Sequence, residues 1–92
     1  MRTFGMTHMT IRATNRTFES ISTGDYDQVE DAYRVGLKAA LQIASSEIEE
    51  GADSVIIEIA VDVAGKRYVA RGALSISTAR MFVPESSAYA SE

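Results

Sequence analysis

The sequence predicts an α+β domain, an antiparallel β-sheet of ββαββ order packed against one long amphipathic helix. Three observations carry that reading. Period-two alternation flanks a single long segment in which apolar residues recur every three and four positions. Its 92 residues, 46% of them hydrophobic, suit one core and leave no material for a second. One proline and no cysteine leave secondary structure and apolar burial, rather than disulfides, to hold the chain together.

The first strand rests on Met9, Ile11 and Ala13 alternating with His8, Thr10 and Arg12. Asn15-Arg16 interrupts the pattern and Thr17-Phe18-Glu19-Ser20-Ile21-Ser22 resumes it, so a hairpin turning near Thr14–Arg16 is expected. The helix is expected from about Tyr26 to Glu50, with Val29, Tyr33, Leu37, Leu41, Ala44 and Ile48 on one face. Glu30, Arg34, Lys38, Gln42, Ser45 and Glu49 form the opposite, wet face. Asp25 with Gln28 has capping-box spacing, Asp27 adds negative charge at the positive helix end, and Gly51 supplies the left-handed residue that closes it.

The second hairpin spans residues 54–78. Val55, Ile57, Ile59, Val61 and Val63 alternate with Ile56, Glu58, Ala60 and Asp62, and Tyr68, Ala70, Gly72, Leu74 and Ile76 form the matching face beyond a turn at Gly65. Charge sets the expected register: Asp62 opposite Arg67 and Glu58 opposite Arg71, which places Val61 against Tyr68 and Val55 against Leu74. The expected core is Met9, Ile11, Val29, Tyr33, Leu37, Leu41, Ala44, Ile48, Val55, Ile57, Ile59, Val61, Tyr68, Leu74 and Ile76. A single domain covers 1–83, and 84–92, without period and with little to bury, reads as a disordered tail.

Little chemistry is encoded. The lone histidine, His8, has no cysteine or second histidine to complete a metal site, so no metal and no cofactor is expected. No Gly-x-Ser-x-Gly elbow supplies a nucleophile, and the glycine spacings match no phosphate loop, so no catalytic residue is assigned. The acidic run Glu47, Glu49, Glu50 and Asp53 reads as a solvated helix end rather than a cation site. The best polar groups for a small ligand, in a cleft between subunits, are His8, Arg12 and Tyr26.

The formal net charge of −4 is unevenly spread. Residues 1–18 carry Arg2, Arg12 and Arg16 and no acid, whereas residues 19–62 hold eleven acids against Arg34 and Lys38. A basic sheet face built from Arg12, Arg67 and Arg71 could in principle meet nucleic acid, but two of these arginines have expected cross-strand partners and no aromatic pair is there to stack bases. A strip of small residues on the helix, Gly36, Ala40 and Ala44, permits close approach of its own sheet or of a second copy. Ile56, Val69 and Ala73 on the outer sheet face extend that possible interface, so self-association as a homodimer is the expected partnership. A cysteine-free chain with no ~20-residue apolar run is expected in the cytoplasm, off the membrane.

The helix segment VEDAYRVGLKAA and the closing VIIEIAVDVAGKRYVARGALSIS resemble short, uncharacterised single-domain bacterial proteins of hairpin–helix–hairpin order, over about residues 9–78. That resemblance implies the fold and brings no catalytic motif. The function expected is a non-catalytic binding or assembly module acting as a homo-oligomer.

Overall fold

A computed structural model describes residues 6–63, 68–79 and 81. The elements run β1 (Thr7–Thr14), β2 (Glu19–Tyr26), α1 (Val29–Glu49), β3 (Ser54–Val63) and β4 (Tyr68–Ser77), the expected ββαββ order. The sheet order is β2-β1-β3-β4 and every neighbouring pair is antiparallel. β2 and β3 therefore run in the same direction, and α1 is the crossover that carries the chain past β1 between them. The helix covers one face of the sheet and leaves the other open.

Alternation assigns the faces. Met9, Ile11 and Ala13 of β1 and Val55, Ile57, Ile59 and Val61 of β3 are buried under α1. Thr10, Arg12, Ile56, Glu58 and Ala60 point to the outer face. The first turn is made by Asn15, whose side-chain Oδ1 accepts hydrogen bonds from the backbone N–H of Thr17 at 2.9 Å and of Phe18 at 2.7 Å. The backbone N–H of Asn15 donates to the Phe18 carbonyl at 2.9 Å, closing the hairpin.

The helix begins later than the sequence predicts. Tyr26 ends β2, paired with Thr7, and Asp25 pairs with His8, so neither residue is available to the helix. Gln28 is the N-cap in an extended conformation with no side-chain capping bond, and Glu30 and Asp31 supply the negative charge of the first turn. At the other end Gly51 adopts φ +109°, as its position predicts. Its N–H donates to the Ile48 carbonyl at 2.9 Å, and the Ala52 N–H donates to that of Glu47 at 3.0 Å, the bond pair of a Schellman cap.

The helix presses its smallest residues, not its largest, onto the sheet. Ala32, Gly36, Ala40 and Ala44 are its buried positions, while Leu41 and Ile48, expected in the core, are 51% and 41% exposed. A Cβ placed on Gly36 would lie 2.7 Å from Ile59 Cγ2 and 3.1 Å from Ile11 Cγ2, so the backbone rides directly on two β-branched side chains. Once the Gly/Ala ridge occupies the centre of the sheet, the leucine ridge is rotated to its flank.

The β3–β4 register differs from the one that charge pairing predicts. Ile57 faces Leu74, Val55 faces Ile76, Ile59 faces Gly72 and Glu58 faces Ala73, a slip of two residues, with a bulge between Val61 and Asp62. The reason is packing under the helix. In this register Gly72 lies opposite Ile59, and the Tyr33 ring fills the space where a Gly72 side chain would stand. A slip of two leaves the same side chains on the helix side, so the registers differ in which of them meet, and exposed ion pairs worth ~0.2–1 kcal/mol each do not override that packing. The expected partner of Asp62, Arg67, the turn at Gly65, the Tyr68 side chain and the 84–92 tail lie outside the described residues.

Candidate functional site

His8, Arg12 and Tyr26 do not converge. His8 Nδ1 lies 2.9 Å from Asp25 Oδ1 across the β1–β2 pair, with both side chains more than half exposed. Arg12, on the same face, spans the sheet: Nη1 is 3.9 Å from Glu19 Oε2 on β2 and Nε is 3.6 Å from Asp62 Oδ2 on β3. Four residues of strand, at ~3.3 Å each, separate His8 from Arg12 by about 13 Å. Tyr26 lies on the opposite side, packed against the cluster of Met9, Ile11, Ala32 and Val61 and folded back over Gly24. Within one protomer His8 and Arg12 make cross-strand contacts on the outer face and Tyr26 packs against the core.

The residues expected at an interface between copies also divide. Gly36, Ala40 and Ala44 are covered by the chain's own sheet, which corrects their placement on a contact surface. Ile56, 63% exposed, and Ala73 remain on the open outer face; the Val69 side chain lies outside the described residues. Among its described residues that face is not basic; Arg67 lies outside them. Its described residues include Glu19, Asp25, Glu58 and Asp62 against Arg12 and Arg71. Arg71 stands opposite Ala60, diagonal to Glu58.

One surface absent from the sequence reading is a polar cleft of ≈ 650 Å³ at the end of the sheet, where the β1–β2 turn, the last turn of α1 and the start of β3 meet. Thr14, Arg16, Thr17, Glu47, Ser54 and Glu58 supply its hydroxyl, guanidinium and carboxylate groups. Asn15 organises one wall, since its Nδ2 also donates to Glu47 Oε2 at 3.3 Å and so ties the turn to the helix. The asparagine in a turn position is a sequence signal for that turn. Its partner 32 residues away is not, because the contact depends on how the helix crosses the sheet. Among the described residues, no three His, Cys, Asp or Glu side chains group so as to hold a metal ion, and Glu47, Glu49, Glu50 and Asp53 do not converge.

A second surface is apolar. Tyr33 packs over Gly72 of β4, and helical geometry places Leu37, Leu41 and Ile48 beyond it on the same flank. Leu74 and Ile76 of β4 lie half-buried on the helix side of the sheet, packed against the cluster of Ala13, Ala40, Ala44, Val55, Ile57 and Ile59. The opposite flank of α1 meets β2 through Ala39, Gln42, Ile43 and Ser46, around a shallow groove of ≈ 190 Å³ shared with Phe18 and Ser20.

No described helix is long and apolar enough to cross a membrane. No protein-family model, no curated protein and no solved structure matches this chain.

Proposed function

We propose that the chain is a non-catalytic binding or assembly module that acts as a homo-oligomer. The observation that carries this reading is apolar surface that one protomer leaves in water. Ile56, Ile21, Leu41 and Ile48 are between 41% and 63% exposed in a two-layer fold. Complete burial of such a side chain contributes ~1.5–3 kcal/mol, so covering even the exposed half of several favours association. A cytoplasmic setting belongs to the same proposal and rests on the cysteine-free composition. Sedimentation velocity over a dilution series tests it: the average mass rises with concentration to a multiple of the 10.0 kDa chain. A single monomeric boundary up to high micromolar concentration contradicts it.

A second reading, binding of a small polar ligand, is favoured by the cleft at the end of the sheet rather than by His8, Arg12 and Tyr26. Thermal-shift screening of the unaltered chain and of Arg16→Ala checks it. Ligands that raise the melting temperature of the former and not the latter support the cleft, and a screen without stabilising compounds counts against it.

A further inference from the structure

We propose that the contact between copies is the open side wall of the fold, with β4 pairing antiparallel to β4 of a second copy and the Leu37–Leu41–Ile48 flanks of the two helices closing over the seam. The inference rests on the homo-oligomer reading and names its surface. β4 is the terminal strand of the sheet, ten residues long, with no proline and with Arg71 as its one charged residue. Natural edge strands are usually protected by charge, proline or shortness, and β4 has little of this protection. The other edge differs: β2 has eight residues, carries Glu19 and Asp25, and turns Ser20 and Ser22 toward the helix side. Among the described residues, the β4 wall sets an unpaired strand edge beside the exposed Leu41 and Ile48 of the helix, whereas the exposed aliphatic of the β2 edge, Ile21, stands on the outer face between Glu19 and Thr23.

A second copy of this chain fits that wall in three respects. A twofold axis perpendicular to the sheet places both helices on the same side. Strands ~4.8 Å apart separate one β3 from the other by about 14 Å, and because α1 rides between β1 and β3 the two helix axes stand about 19 Å apart, well beyond the ~8–10 Å of direct helix contact, so only long side chains reach into the seam. Leu41 and Ile48 of each copy are long enough for that, and Leu37 packs against the same cluster as Leu74 and Ile76, whereas alanines would leave a void. Charge is compatible too. Registers centred on Gly72, Ala73 or Leu74 keep helix-facing residues on one side and set Arg71 opposite an uncharged residue of the partner strand. The wall measures about 33 Å along β4 at ~3.3 Å per residue and roughly 20 Å through both layers. Its area of about 650 Å² per copy approaches the ~800 Å² per partner of a standard interface.

The test uses the full chain, whose lack of cysteine makes introduced thiols clean probes. Leu41→Glu/Ile48→Glu changes two exposed positions, and circular dichroism checks that its fold is retained. Sedimentation is expected to show this variant monomeric where the unaltered chain is dimeric, with at least a hundredfold weaker association. Ala73→Cys and Ser75→Cys on β4 are expected to give covalent dimers with a short bismaleimide, and Thr23→Cys on β2 is not. A dimer that survives the double substitution and cross-links through Ile56→Cys but not through β4 overturns the edge proposal and leaves the homo-oligomer reading standing. An unaltered chain that stays monomeric overturns both.

Discussion

Two glycines set the helix-to-sheet distance. At Gly36 an added methyl meets Ile59 and Ile11, both β-branched and stiff, neither able to swing aside. Gly36→Ala gains ~1 kcal/mol of helix propensity and loses ~1–3 kcal/mol to overpacking, so a net loss of about 1 kcal/mol is expected in urea denaturation. A more stable Gly36→Ala variant would show that the contact relaxes freely. At Gly72 the obstacle is the Tyr33 hydroxyl, the far end of one side chain, and the outcome differs. Gly72→Ala is expected to destabilise by ~1–2 kcal/mol and Tyr33→Phe to recover part of that loss in the double variant. Additive effects of the two substitutions would indicate that they do not share this contact. Around them, surface ties such as Arg12 with Glu19 and Asp62 are partly exposed, and Arg12→Ala is expected to change stability by less than ~1 kcal/mol.

At the scale of elements, the sequence resolves what is local and misjudges what depends on a partner. Alternation in β1 and β3, the Asn15 turn and the Gly51 cap were legible because each is a short-range signal with its own geometry. The start of α1 was not: Asp25 and Tyr26 satisfy helix-start patterns, yet pairing with His8 and Thr7 draws them into β2. The helix face was misread for a related reason. Hydrophobicity ranks Leu41 and Ile48 above Gly36 and Ala40, but close packing against branched side chains favours the smaller residues. The β3–β4 register followed the core rather than its charges. The polar cleft was illegible because it joins Asn15 to Glu47 across 32 positions. Asn15→Ala removes the Oδ1 that accepts both turn hydrogen bonds and the tie to α1, and a loss of ~1–2 kcal/mol in thermal or urea unfolding is expected. An unchanged midpoint would show that the hairpin is held by its strands alone.

For the molecule as a whole, the two faces and two edges of the sheet have unequal claims on a partner. The outer face mixes carboxylates, arginines and threonines with isolated isoleucines, so it is solvated in most places. The β2 edge carries Glu19, Asp25 and two serines, with Ile21 its one large aliphatic side chain. The β4 edge joins a long strand to a helix flank on which Leu41 and Ile48 stay exposed among the described residues, because Gly36 and Ala40 already hold the helix at the sheet's centre. The packing that shapes the protomer therefore also creates the surface assigned to its assembly. Amide hydrogen exchange, followed residue by residue at low and high protein concentration, tests this most directly. The outward-facing amides of β4 are expected to become protected as concentration rises while those of β2 continue to exchange rapidly. Rapid exchange along the β4 edge at every concentration, or protection that appears instead on β2, would contradict it.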